Sequence, residues 1–501
     1  MEASATPVAA ATAAELDAYR EQADRFIAER DQEYYLHYAG LKRTLDLEPI
    51  YARHAELTTL ERALAIGAAA EADARVRELW RFAAEGHFGD VTREEEQRLA
   101  AAEAELTAEV DGDEIPFRML RPAIANEPDR ARRERLDRAR TELTDERLNP
   151  VYVESWTKKR QTTRDLAAPT YLELYRRFGF RLDELAAECR AVLDETEDLW
   201  LAAGNRLLRT RVGVGLAEAR RWDVARVFRA SEWDEAFPKG RMLAALTATL
   251  DDLGLDLRAQ ENVQLDLEER PLKVPRAYCF PIDVPDRVVL MIKPVGGPDD
   301  WRALFHEAGH AEHFAHTSRD HPFEARRLGD NAVTEGWAAL LEHLVDEPAW
   351  LQRRLDVPRP QEFSADGAAQ LLYIVRRYAA KLLYEVELHA ADDLEAMRPR
   401  YVELLADALH IEPSGTDFLA DVDDGFYASS YLRSWALEAQ LRSFLQEEFG
   451  HAWFARREAG SLLRELWAEG QRWTADELLR ELTGAELELA AVVERVSERA
   501  A

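Results

Sequence analysis

The sequence predicts a mainly α protein: a large helical body with a small β-sheet beside one histidine-bearing helix. Three observations carry this. Over most of the 501 residues, apolar side chains recur at spacings of three and four, with Ala, Leu, Glu and Arg between them. Strand-like alternation is gathered between Val263 and Lys293. Directly after it stands His306-Glu307-Ala308-Gly309-His310, whose two imidazoles share one face of a helix.

In chain order, residues 1–14 read as a frayed alanine-rich tail, because Glu2 stands where a signal peptide would carry a basic residue. A helical region over 15–262 follows, with long amphipathic segments to about Val110 and a break from Asp111-Gly112 through Pro128. Asp129 to Arg147 is so heavily charged that it predicts an exposed helix laced with ion pairs. Leu185, Cys189, Val192, Leu193, Leu199 and Trp200 continue the helical stripe. The region 263–501 carries the histidine motif, and the N-terminal helices are expected to join it in one bowl-like body. Val263, Leu265 and Leu267 alternate with polar neighbours, and Arg287 to Lys293 is a β-prone run between Pro285 and Pro294. That run reads either as an edge strand able to pair with an extended peptide or as a plain buried strand. From Asp300 the helical pattern holds nearly to Ala501, broken near Pro358 and Pro413.

A formal charge of −31 opposes binding to nucleic acid backbones and anionic membrane surfaces. The acids are spread along the chain, as on a solvated surface. Two cysteines, Cys189 and Cys279, make no disulfide framework, and no stretch approaches 18 consecutive apolar residues. A cytoplasmic setting is the expectation; oligomeric state leaves no mark in the sequence.

The histidine motif has the layout of a zinc site with its own base. On a helix, His306 and His310 align while Glu307 stands about 100° round the axis. Zinc takes neutral imidazoles, keeps one position for water and lowers that water's pKa to about 7, so a nearby glutamate can accept its proton. Trp301, Leu304 and Phe305 precede the motif at helical spacing, and Asp299 and Asp300 supply first-turn charge.

An open catalytic site needs a third protein ligand, and two residues compete for it. His316 has metzincin spacing, but that arrangement needs a glycine where His313 stands, to turn the chain out of the helix. Without the turn, His316 lies about 240° from His310. No convincing methionine turn follows, since Met397 sits in a charged helical stretch. Glu335, in a second helical stretch from Asp330 to His343, is a hard ligand that completes a two-histidine, one-glutamate set. Glu342, two turns further on nearly the same face, can accept from a ligand histidine's free N–H.

Phe305 to His313, read as Phe-His-Glu-Ala-Gly-His-Ala-Glu-His, resembles the HExGHxxH segment of the thimet oligopeptidase and oligoendopeptidase F family of zinc peptidases. Glu335 stands 25 residues after His310 and Glu342 seven beyond it, as in that family's pattern. The order of Lys273 to Phe280, a strand and then the histidine helix is similar as well. Gly425-Phe426-Tyr427-Ala428-Ser429-Ser430-Tyr431 resembles the family's late Phe-Tyr-x-x-x-Tyr segment, although Asp421 stands near the place of its usual histidine and His410 is the nearest one upstream.

The resemblance implies a helical zinc peptidase acting on short peptides in a cleft between lobes, with one Zn2+ on His306, His310 and Glu335. It implies Glu307 as general base, Tyr427 or Tyr431 as oxyanion donor, and His313 beside substrate or behind the ligands. Rival readings are a Taq-type metallocarboxypeptidase, a zinc amide hydrolase with a specialised non-peptide substrate, and a non-catalytic zinc-stabilised binding protein.

Overall fold

Helices make up 71% of the protein in its computed structural model, which describes residues 9–500. Of the tail expected over 1–14, the first eight residues lie outside the described ones, and a helix already begins at Ala13. Thr12 starts it with a capping box: its hydroxyl accepts from the Glu15 N–H, and the Glu15 carboxylate accepts from the Thr12 N–H at 2.8 Å. The helices used below are α1 (Ala13–Tyr38), α2 (Pro298–His316), α3 (Asn331–Glu342), α4 (Pro360–Ala390) and α5 (Tyr427–Phe449). Among the described residues, no helix is long and apolar enough to cross a membrane.

Two compact units divide the chain, and each draws on three segments. The first takes the chain up to His87, Trp233–Pro360 and Arg433–Leu487; the second takes Phe88–Glu232, Gln361–Leu432 and Glu488–Ala501. A boundary at 262/263 therefore falls inside the first unit, which holds the histidine helix.

The second unit contains a hairpin that the sequence reading took for a plain break. Strands β1 (Thr107–Val110) and β2 (Asp113–Pro116) pair antiparallel around Asp111-Gly112, whose φ values of 57° and 88° are those of a type I′ turn. The charged stretch after Asp129 is helical and ion-paired as expected, but it is not simply exposed. Arg133, Asp137 and Arg140 are buried, and Arg133 meets the fully buried Asp223 at 2.8 Å, as Arg140 meets Asp417.

His389, on α4, is buried among Trp156, Tyr171 and Phe426, with ring centroids 4.7, 4.7 and 5.0 Å away. Neither ring nitrogen has a hydrogen-bond partner. Burial, reinforced by Arg160 and Lys159, lowers its pKa to about 3. The unfolded chain accepts that proton near pH 6.5, so between the two values the unfolded state binds more protons and stability rises with pH, by at most about 1.4 kcal/mol per pH unit. The urea midpoint is thus expected to fall as pH drops from 6.5 towards 4, and His389→Phe to flatten that slope. An unchanged slope in the variant would remove His389 as a source of acid sensitivity.

In the first unit, β3 (Val263–Asp266), β4 (Tyr278–Asp283) and β5 (Arg287–Met291) form a sheet in the order β3-β5-β4. β5 is central, parallel to β3 and antiparallel to β4, so the edge-strand reading of Arg287 to Lys293 is corrected to the buried one. Val288, Val289, Leu290 and Met291 are at most 1% exposed. An unbroken apolar run suits a strand covered on both faces, where an edge would alternate. β3 and β4 are the edges instead, and a neighbouring arginine occupies part of the outer side of β4. Arg327 donates to the carbonyls of Pro281 and Ile282 at 2.5 and 2.6 Å, and Pro281 has no N–H to offer.

Candidate metal centre

α2 is aimed by its entry and its buried face. Gly297, with φ 88°, turns the chain into Pro298 at the first helical position, and the Asp300 carboxylate accepts from the Val295 and Gly296 N–H groups at 2.7 and 2.8 Å. Trp301, Leu304, Phe305, Ala308 and Ala311 are all at most 1% exposed and bind the helix into the core.

Its motif glycine decides how closely α3 can approach. A Cβ at Gly309 would sit 2.5 Å from the Trp337 carbonyl oxygen and 2.6 Å from the Ala338 Cα, so only hydrogen fits there. On α3, a Cβ at Gly336 would lie 2.8 Å from Leu437 Cδ2 of α5. Two glycines therefore let α3 lie against α2 on one side and α5 on the other.

At that approach the ligand atoms converge. His306 Nε2 lies 3.4 Å and His310 Nε2 3.7 Å from the same oxygen of Glu335, Oε2. The three groups offer atoms within 4.8 Å of one another and could hold a metal ion. The opposite ring nitrogens are already committed: His306 Nδ1 to Glu342 Oε2 and His310 Nδ1 to Thr334 Oγ1, both at 2.8 Å. With Nδ1 engaged from behind, each imidazole turns Nε2 towards Glu335, and the set of two imidazoles and a carboxylate fits a divalent transition metal. Burial keeps His310 neutral, with its pKa lowered to about 4.

Glu307 stands beside the group and points at the sheet. Its Oε2 accepts the Cys279 backbone N–H of β4 at 2.7 Å. Burial raises its carboxyl to about 7, against the opposing pull of His306 and that N–H. A carboxyl poised there is suited to take up and release a proton near neutral pH.

The other expected residues are placed as follows. His316 is not among the converging ligands: α2 runs unbroken to it, and its Nδ1 meets the Glu312 carbonyl oxygen at 2.9 Å. His313 is fully buried, with its ring stacked 5.1 Å from that of Phe314. Tyr427 and Tyr431 lie in the second unit, in the opening turns of α5, with ring centroids 5.1 Å apart and Tyr431 5.5 Å from Tyr378. Asp421 is an anchor, paired with Arg377 and accepting the Tyr401 hydroxyl at 2.9 Å. His410 is exposed and pairs with Glu197.

Sequence reasoning missed Thr334, the Cys279 backbone, and an ion pair of Arg302 with Asp346 at 2.7 Å that extends the α2 contacts by one turn. Thr334 left a signal, since it directly precedes Glu335, the candidate third ligand. Thr334→Val keeps the shape and removes the acceptor. It is expected to weaken metal binding about 10- to 100-fold, as is Glu342→Leu, which removes the acceptor behind His306, in a chelator competition assay. Affinities within twofold of wild type would mean the imidazoles need no holding from behind.

Fold and site together define a mainly helical protein bearing a partly buried two-histidine, one-glutamate group that could hold a metal ion. No protein-family model matches this chain, and a search of the curated proteins returns no match.

Proposed function

We propose that the protein is a zinc-dependent metallopeptidase that hydrolyses peptide bonds of short peptides, with one Zn2+ on His306, His310 and Glu335. The observation that carries the reading is the convergence of both Nε2 atoms on Glu335 Oε2 while Glu307, an acid–base group, stands next to them on the same helix. A purely structural site closes its coordination with protein ligands, whereas three ligands plus a neighbouring base suit catalysis.

Zinc, when held, would polarise the peptide carbonyl and make water acidic enough to attack. Glu307 takes the proton from the attacking water and delivers it to the leaving amine, while the Cys279 N–H keeps its carboxylate on one bearing. Glu342 and Thr334 hold the two imidazoles in register throughout. Tyr427 and Tyr431 enter this reading only through the family resemblance, as oxyanion donors.

Metal analysis of the purified protein, with mass-spectrometric mapping of cuts in a mixed peptide pool, tests the reading. About one zinc per chain and internal cuts are expected. Cleavage of a peptide with a blocked C-terminus excludes a strict carboxypeptidase; a zinc-loaded protein that leaves every peptide intact overturns the peptidase assignment.

A further inference from the structure

The helix that carries Glu335 is fastened at its start. Asp330 is the N-cap of α3, and a further helix, α6 (Ala475–Thr483), begins beside it. One carboxylate serves both helix starts: Asp330 Oδ1 accepts the Ala332 N–H and Oδ2 the Ala475 N–H, each at 3.0 Å. Arg433 of α5, in the same compact unit, closes the group with Nη1 on Oδ1 at 2.9 Å and Nη2 on Oδ2 at 2.7 Å. Each oxygen thus takes two donors, the full capacity of an ionised aspartate.

This joint is built and shielded. The Asp330 side chain is 11% exposed. Two helix starts bring unpaired N–H groups and the positive ends of their dipoles to it, and the guanidinium adds a charge-assisted fork. Asp476 of α6 holds Arg433 from another side at 2.5 Å, and Gln471 donates to the Asp330 main-chain carbonyl at 3.3 Å. Capping α3 alone would need a single acceptor; this carboxylate ties α3 to two other helices.

Its position along α3 gives the joint a consequence for the metal group. The glycine contacts act from Gly336 onward, and Glu342 meets His306 at the far end. The joint holds the turn before them, with Thr334 and Glu335 four and five residues beyond Asp330, little more than one helical turn. Rotation or sliding of that turn would carry Glu335 Oε2 away from the two Nε2 atoms that lie 3.4 and 3.7 Å from it.

We propose that Asp330 is a positioning residue for the metal group: by tying the first turn of α3 to α5 and α6, it sets where Glu335 stands against His306 and His310. The proposal rests on the metal group and not on peptide cleavage, so a zinc-binding protein that leaves every peptide intact does not touch it.

The test measures zinc affinity by chelator competition and the thermal midpoint of the same preparations. Asp330→Ala is expected to bind zinc about tenfold more weakly. Asp330→Ser, which keeps one acceptor for the α3 cap but gives up the fork with Arg433, is expected to lose nearly as much, and it carries the test if Asp330→Ala does not fold. In a Glu335→Ala background the same substitutions are expected to change affinity by less than about twofold, because the group they displace is gone. A lowered midpoint with affinity unchanged would make Asp330 part of the scaffold only and overturn the proposal. So would wild-type affinity in Asp330→Ser, or a loss that persists in full without Glu335. Hydrogen exchange of the metal-free protein reads the joint without zinc: the amides from Ala332 to Gly336 are expected to exchange faster in Asp330→Ser, and unchanged protection there overturns the fastening. A wild type that takes up no zinc removes the metal reading and this proposal together.

Discussion

Replacing Glu307 by Gln is expected to lower kcat for peptide hydrolysis by on the order of a thousandfold or more while zinc content stays near one per chain. Glutamine is nearly isosteric and keeps an oxygen to accept the Cys279 N–H, so the side chain's anchoring survives. What it loses is the capacity to accept a proton, and a positioned general base accounts for about 10²- to 10⁴-fold in rate. His306, His310 and Glu335 are untouched by the change, which is why metal retention separates this outcome from a collapsed site. Steady-state kinetics on one peptide, with metal analysis of the same preparation, checks it. Turnover within tenfold of wild type would falsify the assignment of Glu307 as the base.

Gly309→Ala is expected to lower the thermal midpoint by several degrees and to strip the metal site of most of its affinity. Two effects oppose one another here. Alanine is favoured over glycine inside a helix by about 1 kcal/mol. Against that, the new Cβ would meet the Trp337 carbonyl oxygen at 2.5 Å and the Ala338 Cα at 2.6 Å, and backbone atoms cannot rotate aside as a side chain can. Overpacking of a tight interface costs about 1–3 kcal/mol even where side chains absorb it, so the clash wins. Relief requires α3 to move off α2, and that motion carries Glu335, Thr334 and Glu342 away from the histidines together. Gly89 is a suitable control: it lies inside a helix with nothing within 4 Å of a built Cβ, so Gly89→Ala is expected to be neutral or mildly stabilising. Thermal denaturation with and without added zinc reads both variants. A Gly309→Ala protein as stable and as tightly metal-binding as wild type would mean that the two helices are not held at the distance the glycine sets.

Much of the metal group was legible because its geometry is local. His306 and His310 are four apart on one helix, and the angle that places them together also turns His316 away, as the unbroken α2 does in the structure. Glu335 was legible as a carboxylate on a second, neighbouring helix, with Glu342 two turns on. The hairpin at Asp111-Gly112 was equally local and was overlooked: the dipeptide is a strong type I′ signal, but the runs on either side are four residues each, and the second, Asp113–Pro116, does not alternate.

By itself, then, the sequence determined the helical class, the shared face of the two histidines and the carboxylates available to join them, since each follows from the 3.6-residue period acting within one segment. Only the tertiary structure decided that β5 is central between β3 and β4, that the Cys279 N–H anchors Glu307, that Thr334 holds His310, and that His313 is sealed inside. These depend on which segments far apart in the chain lie side by side and in what register, a choice made by the packing of whole faces, including a glycine small enough to let two helices touch.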